Sequence, residues 1–174
     1  MTFSNIPADT PIFVDANILS YYFLRVMPFF EVCDPLFRRS AQREITLHTA
    51  TNVAADVVHR AMISEAIVRF SLQPRETVTF LKTNPETVKQ LKKYKQVPGW
   101  FTQARVNILP LTYREIHNSK QFRDTYGLLT NDSIILAVMS RYKIADLATN
   151  DRDFQRVSGV RVWMPKGEKN GSAA

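Results

Sequence analysis

Five aspartates stand where a chain can do chemistry. Asp15 closes the apolar run Pro11-Ile12-Phe13-Val14. Asp132 follows Thr130-Asn131 at the head of a long apolar stretch. Asp151 and Asp153 come directly after the run 145–149, and Asp56 follows the small pair Ala54-Ala55. Each has an ordinary explanation by itself. Asp15 can cap the helix after it. Asp132 suits the positive end of a helix by about 0.3–1 kcal/mol. Asp56 can pair with Arg60 one turn on, for a few tenths of a kcal/mol. Asp151 and Asp153 are harder to explain this way, because adjacent acids repel unless something positive lies between them. Glu65, further along the same helical stretch, is a second candidate for the role of Asp56.

Carboxylates converging on one site would not stay ionised without cations. Hard oxygen ligands, with no cysteine pair, select Mg²⁺ or Mn²⁺ over zinc. Asp15, Asp132, Asp151 and Asp153 are the expected ligands, with Asp56 completing the catalytic set. Such a site suits metal-assisted attack of water on a phosphodiester. The neutral neighbours Asn17, Asn131, Ser133, Thr149 and Asn150 are placed to orient the acids.

The elements around these residues must bring them together. Residues 11–15 form a short apolar run without alternation, which predicts a strand buried on both faces of a parallel sheet. Further strands are expected at 44–49, 106–111, 145–149 and 160–163. Helices are expected at 17–24, 29–43, 51–70, 75–82, 85–105, a short one after Thr112, and 130–142. Thr51 and Asn52 are candidate caps for the long third helix, and Val97-Pro98-Gly99 is expected to interrupt the fifth. The 130–142 helix is apolar nearly all round and should be buried. Strands alternating with helices predict an α/β fold: a central, mostly parallel sheet of about five strands covered on both faces. In such a sheet the ends of the first and fourth strands share the edge where ligands bind. The expectation is one domain over residues 1–165, with a helical insertion around 74–105 and a flexible tail at 166–174.

A net charge of +7 favours a polyanionic partner. An acidic pocket in a basic protein suggests a divalent metal with phosphate around it. Five glycines and no glycine-rich loop argue against a P-loop or dinucleotide site. The single cysteine, Cys33, excludes an internal disulfide and a cysteine zinc cluster, and fits a reducing, cytoplasmic setting. No apolar run is long enough to cross a membrane, and no secretory signal stands at the start. His48, His59 and His117 lack ligand spacing and read as satisfied structural histidines. Lys89, Lys92, Lys93 and Lys95 form a basic run that is either a solvated face or a phosphate-tracking arm, and Lys89, Lys92, Lys93 and Arg152 are the candidate contacts to a nucleic-acid backbone. Tyr94, Trp100 and Phe101 are then candidates for base stacking.

Three segments carry a family resemblance. Phe13-Val14-Asp15-Ala16-Asn17-Ile18-Leu19 resembles the opening motif of PIN-domain ribonucleases. Leu129-Thr130-Asn131-Asp132-Ser133-Ile134-Ile135-Leu136-Ala137 resembles their third-acid motif, and Ala148-Thr149-Asn150-Asp151-Arg152-Asp153-Phe154 their closing motif. The length, charge and layout are similar to the VapC-type toxins of toxin–antitoxin pairs. The resemblance implies an α/β/α sandwich, a Mg²⁺- or Mn²⁺-dependent endoribonuclease, a homodimer and inhibition by an antitoxin protein. The family's helix acid is usually glutamate, whereas Asp56 stands in its place, and Ala16 replaces a frequent hydroxyl residue. These departures support an alternative, a degenerate domain that binds RNA or protein without cutting. A phosphatase of the haloacid dehalogenase type would need a second acid where Asn17 stands.

Overall fold

The computed structural model describes residues 2–165. The expected flexible tail at 166–174 lies outside the described residues. Five strands form one sheet, all parallel: β1 (Pro11–Val14), β2 (Thr46–Ala50), β3 (Val106–Leu109), β4 (Asp146–Ala148) and β5 (Arg161–Trp163). Their order is β3-β2-β1-β4-β5, so the first strand is central. Ile12, Phe13 and Val14 are fully buried, as an uninterrupted apolar run requires.

The chain winds outward from β1 through β2 to β3, then returns to lay β4 on the other side of β1. Right-handed crossovers put helices from the two windings on opposite faces. One layer holds α1 (Ala16–Phe23), α2 (Phe29–Ala41) and α3 (Thr51–Phe70), with α4 (Pro74–Thr83), α5 (Pro85–Gln90) and α6 (Lys93–Gln103) packed on α3 directly or through one another. The other holds α7 (Tyr113–Asn118), α8 (Lys120–Tyr126) and α9 (Thr130–Arg141). The result is a three-layer α/β/α sandwich. Seven successive residues of α9, Ser133 to Met139, are buried, as its composition predicts.

Several boundaries differ from expectation. Pro98 and Gly99 lie inside α6, and the break falls at Leu91-Lys92 instead. Val97 and Phe101 on either side of Pro98 are buried in the main core. Each gains about 1.5–3 kcal/mol from burial, which together offsets a proline penalty of about 3 kcal/mol. Neither Thr51 nor Asn52 caps α3: Ala50 occupies that position, and Thr51 Oγ1 accepts from the Leu111 N–H at 3.1 Å. Of the candidates for base stacking, Phe101 is buried against Phe23, and Trp100 and Tyr94 are half-buried against the core. His48 is half-buried with an Nδ1 that has no partner among the described residues, which differs from the satisfied histidine expected. Among the described residues no helix is long and apolar enough to cross a membrane.

Two buried acids serve the fold alone. Asp146, at the start of β4, accepts from Arg161 Nε and Trp163 Nε1, both at 2.8 Å, and so ties β5 to its neighbour. Glu115 is 2% exposed. Its Oε2 accepts from the Thr112 N–H at 2.8 Å and the Thr112 hydroxyl at 2.6 Å, and its Oε1 from Arg141 Nη1 at 2.9 Å. Burial pushes this carboxyl up, but the Thr112 bonds and Arg141 outweigh it and hold it below the usual glutamate range. A depressed acid contributes stability above its unfolded pKa and loses it as pH falls through the folded value. Glu115→Gln is therefore expected to cost about 2 kcal/mol at pH 7. The gap to wild type should narrow below about pH 4.5. Urea midpoints across that range check it; a gap independent of pH would contradict the assignment.

Candidate active site

The crossing from one winding to the other opens a crevice between the carboxyl ends of β1 and β4, the place where open parallel sheets bind ligands. A polar cavity of about 180 Å³ lies there, lined by Asp15, Asn17, Asn52, Asp56, Arg60, Asn131, Asp132 and Asp151, among others. Asp15 follows β1, Asp132 is in the first turn of α9, and Asp56 is on α3. Asp151 and Asp153 are in the turn after β4. One carboxylate oxygen from each of Asp132, Asp151 and Asp153 lies within 4.8 Å of the other two.

Asp15 is the most firmly held. Its Oδ1 accepts from the Ala16 N–H at 2.6 Å, so it also caps α1. Its Oδ2 accepts from Asn17 Nδ2 and from the Thr149 hydroxyl, both at 2.7 Å. Thr149 Oγ1, fully buried, in turn accepts from the Asp151 N–H at 3.0 Å. One hydroxyl thus couples the acid after β1 to the turn after β4. Asn150 donates its N–H to Asn17 Oδ1 at 3.0 Å and its side chain to the Tyr21 hydroxyl at 3.1 Å. Burial pushes the Asp15 carboxyl up, against the pull of Thr149, Ala16 and the Arg60 charge. Asp132 is pushed to about 6, by burial first and then by the charges of Asp151, Asp15 and Asp153.

The remaining expected residues divide. Ser133 does not orient the acids. Its hydroxyl donates to the Thr130 carbonyl at 2.7 Å and accepts from Arg123 Nη1 at 2.9 Å, which locks α8 to α9. Glu65 lies outside the cavity, nine residues or about 13.5 Å beyond Asp56 along α3. It accepts from the N–H groups of Lys92 and Lys93 at 2.7–3.0 Å, satisfying the exposed start of α6. Lys92 and Lys93 are therefore near Glu65 and not near the acids, and Lys89 pairs with Glu86 at 2.6 Å. Arg152 is exposed between Asp151 and Asp153. Asp56 lines the cavity and pairs with Arg60 at 2.8 Å, but its side chain is 42% exposed, so the expected ion pair is present while the expected place near the buried face is not.

Asn52, two residues into α3, was not expected in the site. Its Oδ1 is buried on the cavity wall with no hydrogen-bond partner among the described residues. An unsatisfied acceptor beside clustered carboxylates calls for a donor or a cation. An all-oxygen set with raised or crowded carboxylates fits a hard divalent ion. The sequence signal for Asn52 was its position, i and i+4 with Asp56 on one helix face.

A model of the PIN domain family matches residues 12–160. Ribonuclease VapC6 of Methanocaldococcus jannaschii is 35% identical over 57 residues, which are 33% of this chain and 37% of that protein. The match therefore spans little more than a third of that relative's length. Among solved structures, the VapC20 toxin of Mycobacterium tuberculosis, described as cleaving the sarcin–ricin loop, superposes with a TM-score of 0.53 at 14% identity. It covers 83% of this chain and 92% of that one. The VapBC-1 structure from nontypeable Haemophilus influenzae gives a TM-score of 0.53 at 14% identity, over 89% and 98%. These two likenesses speak to the fold. With the family match reaching from β1 through β4 and taking in the crevice at the switch point, the chain belongs to the PIN domain family.

Proposed function

We propose that this protein is a divalent-metal-dependent endoribonuclease, the cytoplasmic toxin of a toxin–antitoxin pair, acting as a homodimer and held in check by an antitoxin protein. The observation that carries the reading is the crowding of Asp132, Asp151 and Asp153 within 4.8 Å, beside an Asp15 already oriented by three donors. The names of the relatives, ribonuclease and toxin, point the same way. Acids fixed in this way are wasted on a domain that only binds, which disfavours the non-cutting alternative.

Asp15, Asp132, Asp151 and Asp153 would hold Mg²⁺ or Mn²⁺. Such an ion supplies charge stabilisation to the phosphoryl oxygens and makes water a better nucleophile. Asn17 and Thr149 keep Asp15 in one rotamer, so its reach into the cavity costs no reorganisation during reaction. Asp56 has one oxygen on Arg60 and the other left to orient the attacking water. The water oxygen bonds to phosphorus, the bond from phosphorus to the 3′-oxygen breaks, and a proton ends on that oxygen. The products are a 5′-phosphate and a 3′-hydroxyl.

The test is cleavage of an end-labelled RNA pool with Mg²⁺, with Mn²⁺ and with EDTA. Cutting that needs the ion supports the reading; cutting that survives EDTA sinks it. The Thr149→Val variant separates orientation from charge. It keeps every acid but loses the hydroxyl that links Asp15 to Asp151, and cleavage should fall about 10- to 100-fold. Initial rates on one defined RNA measure this, and an unchanged rate would remove Thr149 from the mechanism.

A further inference from the structure

Among the described residues Arg60 is the one cationic side chain lining the acidic cavity; Arg156, beside the acid cluster, is already paired with Asp153 at 3.4 Å. Arg60 stands one turn after Asp56 on α3, and its Nε donates to Asp56 Oδ2 at 2.8 Å. Its Nη1 and Nη2 make no hydrogen bond among the described residues. A surface pair at this spacing, with the arginine side chain 48% exposed, is worth a few tenths of a kcal/mol and does not by itself explain the place of both side chains on the cavity wall.

The chemistry of the cavity does explain it. A phosphodiester entering here meets Asp15, Asp56, Asp132 and Asp151. Divalent ions offset part of that charge, and a fixed cation on the wall offsets more. Guanidinium is suited to this because its planar fork matches two phosphate oxygens. Anchoring Nε on Asp56 leaves the Nη1 and Nη2 edge free to donate.

We propose that Arg60 binds the scissile RNA phosphate, with Nε anchored on Asp56 and Nη1 and Nη2 donating to the non-bridging oxygens. This rests on the ribonuclease reading. The test is steady-state cleavage of one short end-labelled RNA with Mg²⁺ by wild type, Arg60→Ala and Arg60→Lys, alongside Mn²⁺ titration of each protein without RNA. Arg60→Ala should lower kcat/KM on the order of 10- to 100-fold, mostly through KM. Arg60→Lys should recover only a small part, because an ammonium keeps the charge and the link to Asp56 but lacks the fork. Mn²⁺ binding without RNA should be no weaker in Arg60→Ala, since a neighbouring positive charge has been removed.

Full recovery by lysine would overturn the proposal, as would Mn²⁺ affinity falling in step with cleavage, which would mean that Arg60 acts only by holding Asp56. Unaltered cleavage by Arg60→Ala would overturn the Arg60 assignment and leave the ribonuclease reading standing. A wild type that binds Mn²⁺ and cuts no RNA would overturn both.

Discussion

Replacing Asp15 by Asn is expected to lower RNA cleavage by on the order of 10³-fold while leaving the fold and its cap on α1 in place. Asparagine caps helices about as well as aspartate, so the bond from the Ala16 N–H survives. The fold also loses a carboxylate whose ionised form burial disfavours, so no stability penalty is expected from the charge itself. The damage falls on the chemistry. Asp15 Oδ2 is an acceptor for both Asn17 Nδ2 and the Thr149 hydroxyl. An amide nitrogen in that place sets donor against donor, and turning the amide presents the nitrogen to the Ala16 N–H instead. In either orientation the site loses one negative charge at its most rigid position. End-labelled RNA cleavage and thermal unfolding, run on the same preparations, check the two halves of this expectation. Full activity in the variant would remove Asp15 from the mechanism, and an unfolded variant would show its role to be structural.

The parts of this protein that could be read from sequence are those where one physical demand dominates. Four uninterrupted residues before Asp15 had to be a buried strand. A helix apolar all round had to be α9. Those two facts, with the acids at strand and helix ends, located the crevice at the switch point. What escaped was set by tertiary partners. Residues 120–126 offer only Phe122 and Tyr126 as apolar positions, too few to mark a helix, and α8 is held by their packing on the core and by Arg123 reaching Ser133. The same contact takes Ser133 away from the acids beside it. Pro98 looked like a break because its neighbours' burial is not visible in the chain. Asp146 opens β4 and Asp151 lies five residues on, yet one is paired with Arg161 and bonded by the Trp163 indole, and the other is left crowded with Asp132 and Asp153. Only the fold distinguishes an acid with partners from an acid awaiting one.

That distinction gives the second large effect, and its two halves have opposite signs. Asp132→Asn is expected to abolish cleavage to a similar extent, on the order of 10³-fold, and yet to stabilise the protein when divalent ions are chelated. Asp132 is pushed to about 6 by burial and by Asp151, Asp15 and Asp153. Its charge therefore works against folding, because a raised acid binds its proton more tightly in the folded state than in the unfolded one. Removing the charge should gain about 1–2 kcal/mol above pH 6, less than the full shift because water reaches and screens the cluster. For a chain of this size each kcal/mol raises Tm by roughly 2–4 °C. As pH falls below about 6 the wild-type carboxyl takes up its proton in the fold, and the two proteins should converge toward the ordinary aspartate range near 3.8. Saturating Mg²⁺ should reverse the order, because an ion bound only by the folded state raises stability with its concentration, and the wild type has the extra ligand. Melting curves of both proteins in EDTA and in Mg²⁺, at pH 5 and pH 8, read all of this together. A variant that is less stable in EDTA, or that gains as much from Mg²⁺ as the wild type does, would mean that Asp132 is an ordinary acid in a helix's first turn and that the ion, if bound, sits elsewhere.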